Sequence, residues 1–241
     1  MFGLGTLINT AAIILGGVLG SLFGKLLKER HQDSLQKACG VSVLFIAIAG
    51  VLEGMLTIEN GSLVGGRALL LVGSLALGAL AGELINLEHW FEKFGEWLKQ
   101  KTGNSKDARF VDGFVTASLT VCIGAMAIVG AIEDGINGNY SILLTKAILD
   151  LIIIMVMTGS LGKGCIFSAI PVFLLQGSVT VLAVLIKPLM TDAALGNLSL
   201  VGNVLIFCVG INLVWGKKVR VANLLPAIIF AAAAAFLPIA L

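Results

Sequence analysis

Lys146 and Asp150 are the residues best placed to do chemistry. They stand at i and i+4 in Lys146-Ala-Ile-Leu-Asp150, so on a helix both side chains leave the same face. Asp150 opens the apolar run Leu151 to Met157 and lies roughly 10 to 14 Å below the start of its segment by helical rise. An ionised carboxylate at that depth in a bilayer costs about 2.5 kcal/mol or more, so it must face protein or water and not lipid. Two roles are open. Lys146 neutralises Asp150 and the pair fixes helix rotation, or Asp150 is a cation or proton site with Lys146 as the competing charge.

Neutral oxygens that could converge on Asp150 are numerous: Asn9 and Thr10, then Thr116, Ser118 and Thr120, then Gln176, Asn203 and Asn212. Amide and hydroxyl oxygens beside one carboxylate suit a hard monovalent ion, although each alone also serves as interhelical glue. Pro171, followed by Gln176-Gly177-Ser178, is expected to break its span, and a broken helix offers carbonyls and dipole ends to ions. A plain kink is the alternative. No enzyme signature is present. The two histidines, His31 and His89, lie in polar segments; a phosphate loop, an H-E-x-x-H pair and a serine-histidine-aspartate set are all missing. Cys39, Cys122, Cys165 and Cys208 lack zinc-ligand spacing and read as small buried hydrophobes. No cofactor and no metal centre are expected.

The elements that must hold these residues follow from composition. Of 241 residues, 58% are apolar and 12% charged, with mean hydropathy +1.03. Soluble domains carry about a quarter charged residues. A soluble enzyme, a nucleic-acid binder and a disordered linker are excluded. Apolar runs predict an all-α polytopic transmembrane bundle of about eight spans, at 2–24, 38–58, 64–87, 111–132, 141–161, 164–189, 199–216 and 222–241. Residues 1–24 lack a basic leader and read as an uncleaved first span. The whole chain, 1–241, reads as a single membrane domain: three spans in 1–87, a connector at 88–110, and five spans in 111–241.

Charge placement orients the bundle. With the N-terminus outside, the inner connections hold thirteen of the sixteen Lys and Arg residues: Lys25, Lys28, Arg30 and Lys37; Lys93, Lys99, Lys101, Lys106 and Arg109; Lys163; Lys217, Lys218 and Arg220. Arg67, Lys146 and Lys187 remain outside, with Glu53, Glu59, Glu133, Asp134 and Asp192. The positive-inside bias then places both termini outside. Leu87 to Thr102 repeats Leu87, Trp90, Phe91, Phe94, Trp97 and Leu98 at three- and four-residue spacing, as an amphipathic helix in the cytoplasmic interface does. A partner-binding helix is the alternative.

Internal similarity is also visible. Leu119 to Gly124 echoes Leu205 to Gly210, the Asn60 and Asn139 turns are each followed by a basic residue, and the first three spans resemble the last three. Those triplets would cross in opposite senses, as inverted repeats of secondary transporters do. Gly16, Gly20 and Gly24, then Ser74, Gly78 and Gly82, then Thr116, Thr120 and Gly124 form small-residue ridges. Such ridges pack helices closely within a bundle or join copies into a homo-oligomer.

Cys122-Ile-Gly-Ala-Met126, Glu133-Asp134-Gly135, Lys146 to Asp150, Gly162-Lys-Gly164-Cys-Ile-Phe-Ser168, Gln176-Gly177 and Val221-Ala-Asn223-Leu-Leu-Pro226 together resemble the YqgA/YdfK-like bacterial inner-membrane proteins, over essentially the whole chain. The resemblance implies a bacterial plasma-membrane location, a suggested sodium channel or pump activity, and a link to biofilm formation. The chain departs from that pattern at Ala125, where proline is usual, and at Leu151, where glycine usually follows the aspartate; a different break in the fourth span is the expected consequence. The leading expectation is passage of sodium or protons through Asp150, with Gln176 and the Asn and Thr oxygens as neutral ligands. A non-transporting scaffold organised by the Trp90/Trp97 helix, and a carrier of small organic anions drawn to Lys146 and Arg67, are the alternatives.

Overall fold

The computed structural model describes residues 3–24, 26, 28–59 and 61–237. Lys25, Asn60 and the outermost residues of the first and last expected spans lie outside the described residues. The chain runs α1 (Leu4–Gly24), α2 (Glu29–Met55), β1 (Leu56–Glu59), β2 (Ser62–Gly65), α3 (Ala68–Ile85), α4 (Leu87–Lys101), α5 (Phe110–Cys122), α6 (Ala125–Asn137) and α7 (Ser141–Leu161). A 3-10 segment, Lys163–Ser168, leads into α8 (Ala169–Val181), followed by the single turn α9 (Ala183–Ile186), a short 3-10 turn, α10 (Asp192–Trp215), α11 (Val221–Leu224) and α12 (Pro226–Ala234).

This is an all-α membrane bundle. Among the described residues, six helices are long and apolar enough to cross a bilayer, and α5 with α6 makes a seventh span if the bent pair counts as one. The eighth expected span is shorter, an apolar helix over Val221–Ala234 of about 21 Å by helical rise. Leu, Val, Ile and Phe side chains such as Leu84 and Phe45 stand fully outward along these helices, where lipid and not water would meet them.

Four departures from the sequence expectation have local causes. Residues 56–65, expected as the end of one span, a turn and the start of the next, form an antiparallel hairpin, because Thr57, Ile58 and Val64 favour strand and Gly61 supplies the positive φ of 78°. The second helix starts at Glu29 and not near residue 38; Lys37 pairs with Asp33 at 2.8 Å across one turn of that polar extension. The fourth span bends by 61° between α5 and α6, where Gly124 adopts φ 146°, a value L side chains rarely take. Pro171 breaks nothing. It sits in the first turn of α8, where its missing N–H would have had no intrahelical partner.

The glycine ridges are used inside the chain. α1 packs parallel to α7 so closely that a Cβ at Gly16 would lie 2.3 Å from the Leu151 carbonyl oxygen, and one at Gly20 2.2 Å from that of Met155. α3 presents Gly78 and Gly82 to Ala227 and Asn223 in the same manner. These two ridges are therefore occupied by helices of the same chain. α1 meets α8 (Asn9 opposite Gln176, Gly17 against Ile166), α2 meets α10 (Gly40 against Val214, Gly210 against Leu44), and α3 meets α12, each antiparallel. An inverted repeat of the first and last three spans requires equivalent helices to run in opposite senses, as these three pairs do. The Leu119–Gly124 and Leu205–Gly210 echo does not extend to conformation, since Gly210 lies within the continuous helix α10.

Candidate functional site

The buried ion pair of α7 is Lys146–Asp150. The Lys146 ammonium donates to both carboxylate oxygens of Asp150, at 2.9 and 2.7 Å, with 8% and 3% of the two residues exposed. A charge-assisted two-oxygen contact of this kind is what makes a buried ion pair tolerable in a medium without water. Asp150 lies near the middle of a 21-residue helix.

α1 meets the pair directly, and α6 and α8 meet α1 beside it. Asn9 of α1 lies beside the Asp150 carboxylate, and its amide donates to the Gln176 side-chain oxygen on α8 at 3.2 Å. One turn nearer the α1 N-terminus, the Thr6 and Thr180 hydroxyls are 3.3 Å apart. At the same level Asp134 of α6, fully buried, accepts a hydrogen bond from the Gly5 N–H at 2.9 Å. Cys122, at the C-terminal end of α5, is within electrostatic reach of both Lys146 and Asp150. The result is a polar seam between α1, α6, α7 and α8 inside an apolar bundle. Three buried atoms of this seam have no hydrogen-bond partner: Asn9 Oδ1, Gln176 Nε2 and Asp134 Oδ1. Buried polar atoms left unpaired are rare in folded proteins, and three in one seam call for a specific explanation.

Of the residues chosen from sequence, Lys146, Asp150, Asn9 and Gln176 are brought together. The others serve elsewhere: Thr10 and Ser118 bond the Thr6 and Phe114 carbonyl oxygens of their own helices at 2.8 and 2.6 Å, and Thr116 lines a cavity at the far end of the bundle. Thr120 bonds the Thr116 carbonyl oxygen in its own helix at 2.7 Å. Asn203 packs against Gly50 of α2 and reaches Ser199 Oγ at 3.5 Å. Asn212 ties down the loop after α10: its amide donates to the Val219 carbonyl at 2.7 Å, and its oxygen accepts from the Lys218 and Val219 N–H groups. Replacing Asn212 by alanine strands those loop groups and is expected to cost about 2 kcal/mol, read as a lower melting temperature with the seam undisturbed. Pro171 lies in the first turn of α8, as described above.

Sequence reasoning missed Asp134, Thr6 and Thr180. Asp134 was assigned to an outer loop, but α6 continues to Asn137 and turns it inward with Ala127 and Ala131, all three buried. That i, i+4, i+7 spacing was the available signal.

The opposite end of the bundle is charged. Glu88, 6% exposed at the start of α4, accepts from the Ala222 N–H at 3.1 Å, while the Asn223 side-chain oxygen accepts from the Glu88 N–H at 2.7 Å. Lys217 pairs with Glu88 at 3.0 Å and also with Glu92. Partial burial pushes the Lys217 ammonium down, but the Glu92 and Glu88 carboxylates outweigh it and hold it above the ordinary lysine value. Beside this cluster a cavity of about 230 Å³ is lined by Arg109, Asp112, Glu88, Glu92 and Lys217 and reaches Thr116 and Leu119 on α5. The aromatic residues of α4 divide. Phe91 packs inward, whereas Trp90, Phe94 and Trp97 face out, with Phe94 stacked on Trp97 at 5.7 Å between ring centroids. The helix is thus docked on one side and carries an outward aromatic edge, the composition of an interfacial anchor.

Comparison with known proteins agrees with this architecture. Residues 4–236 match a family described as "Protein of unknown function (DUF554)". An uncharacterized membrane protein of Bacillus subtilis (strain 168), YdfK, is 32% identical over 225 residues, covering 93% of this chain and 92% of that protein. An uncharacterized protein of Escherichia coli (strain K12), YqgA, is 30% identical over 232 residues, covering 95% and 94%. No solved structure matches. A multi-pass bundle aligned end to end with both relatives is a full member of that group: the chain belongs to the DUF554 family.

Proposed function

We propose that this membrane protein passes a small monovalent cation, sodium or proton, through the seam around Asp150. The observation that carries the proposal is a carboxylate buried at mid-span, held by a single tethered ammonium, with the Asn9 and Gln176 amides beside it each keeping one unpaired atom. Lys146 acts as a built-in competitor: an entering cation takes the Asp150 oxygens as Lys146 leaves them, and Lys146 returns as the cation departs. The charged cavity supports an entry route from the other face, since it reaches Leu119, one turn from Cys122, which is itself within electrostatic reach of the pair. The basic connections on that face favour the cytoplasmic side of a bacterial inner membrane, with both termini outside.

The anion alternative has less support. Lys146 already donates to both Asp150 oxygens, and Arg67 lies against Gly196 at the start of α10, so the two cations are not gathered into one site. The test is sodium and proton uptake into proteoliposomes under imposed gradients. Asp150→Asn is expected to reduce uptake at least tenfold, to the level of protein-free vesicles, while eluting as the wild type does. Equal uptake by wild type and variant would demote Asp150 to a structural role, and no uptake by the wild type would overturn the proposal.

A further inference from the structure

Asp134 poses a charge problem that the Lys146–Asp150 pair leaves unsolved. Among the described residues the seam contains two buried carboxylates, Asp134 and Asp150, but a single ammonium, and Lys146 is committed to Asp150 through both oxygens. Asp134 is fully buried, and among the described residues the Gly5 N–H on its Oδ2 is its sole hydrogen-bond donor; its Oδ1 has none. One N–H bond at the first turn of α1 offsets part of a carboxylate's charge, not the whole of it.

Among the described residues the surroundings offer oxygens and no further cation. Thr6 and Thr180 present hydroxyls 3.3 Å apart at the same level, where Gly135 of α6 packs against the Thr180 carbonyl. Asn9 and Gln176, 0% and 1% exposed, share one hydrogen bond. Whichever way those two amides are turned, one amide oxygen of the pair is left without a donor from the other. A buried carboxylate with an unpaired oxygen, neighbouring hydroxyls and a spare amide oxygen is a hard-ligand set.

We infer that Asp134, with the Thr6 and Thr180 hydroxyls and the Asn9–Gln176 amides, forms a second cation site that takes a dehydrated sodium ion. The inference rests on the proposed cation pathway for its role, as an outer station ahead of Asp150, but binding at Asp134 can be tested without transport. Sodium would supply the missing positive charge and occupy the oxygen that no donor reaches.

The experiment is a thermal melt of the full-length protein in sodium chloride and in choline chloride at equal ionic strength, followed by reaction of the buried cysteines with a fluorogenic thiol reagent. Sodium is expected to raise the wild-type melting temperature, by roughly 5 °C or more at about 100 times its dissociation constant. Asp134→Asn retains an acceptor for the Gly5 N–H, so a mere helix cap survives the change. It should melt in choline at or above the wild-type temperature and lose the sodium increment. Asp150→Asn should keep that increment while losing uptake. Should Asp134→Asn melt lower in choline, Thr180→Val carries the test: it should need at least tenfold more sodium for the same increment. An increment that persists in both variants, or a wild type that melts identically in the two salts, overturns the inference. Failure of uptake with an intact, Asp134-dependent sodium increment would instead remove the transport role and leave the site.

Discussion

Lys146→Met is expected to lower stability by about 3–5 kcal/mol, because it leaves Asp150 as an unpaired carboxylate at 3% exposure inside a membrane-spanning bundle. The expected cost comes from the stranded charge and not from the lost bonds alone. Asp150→Asn should therefore cost less, since its amide oxygen still accepts from the Lys146 ammonium, and a lone lysine has a long stem that can carry its charge toward the membrane surface. The double replacement Lys146→Met with Asp150→Leu should regain most of the stability of the wild type, as apolar pairs substituted for buried ion pairs commonly do. Thermal melts of the wild type, Lys146→Met, Asp150→Leu and the double variant close a double-mutant cycle and return a coupling energy of more than about 1 kcal/mol if the pair is ionic. A Lys146→Met protein that melts with the wild type would show that Asp150 is neutral in the native state, and the displacement role proposed for Lys146 would fall with it. The double variant adds a second reading: restored melting without cation uptake separates the fold from the function.

The parts of the seam that were legible in the sequence are those whose signal is local. Lys146 and Asp150 announce themselves because charges four residues apart in an apolar run have no other explanation on one helix. Asn9 and Gln176 were visible as polar residues in apolar spans, but nothing local distinguishes them from Asn203 and Asn212. Which amide meets Asp150 depends on α1 and α8 packing antiparallel beside α7, and Asn212 is drawn away by the loop it ties down. Asp134 was hidden by its neighbour. Glu133-Asp134 reads as an acidic outer loop, whereas the bend at Gly124 carries α6 on to Asn137 and sets Asp134 inward. Pro171 shows the converse error. A proline amid apolar residues suggests a mid-span break, yet the 3-10 segment before Ala169 makes it a first-turn residue, and the break falls instead on a glycine in the fourth span. The position of that break, at Gly124, required the backbone.

Two glycines of one helix provide the sharpest test of how the spans are held together. Gly82 of α3 faces the chain at Asn223 so closely that an added Cβ would sit 1.8 Å from that carbonyl oxygen. Backbone cannot yield as a side-chain tip can, so Gly82→Ala forces α3 away from α11 and is expected to cost more than about 3 kcal/mol, at or beyond the upper range for overpacking. The damage should spread, because Asn223 also receives the Glu88 N–H and Glu88 receives that of Ala222; prying α3 off Asn223 disturbs the start of α4 and the Lys217 cluster. Gly73, nine residues earlier on the same helix, has nothing within 4 Å of its would-be Cβ. There alanine removes backbone freedom from the unfolded chain at no steric cost, and Gly73→Ala should be neutral or stabilising by up to roughly 1 kcal/mol. Opposite effects of one substitution on one helix, read in the same melt, would tie the stability of the bundle to backbone contact at the α3–α11 crossing. Equal effects would mean that helix propensity alone is being measured, and that the close approach at Gly82 contributes nothing to holding the last span in place.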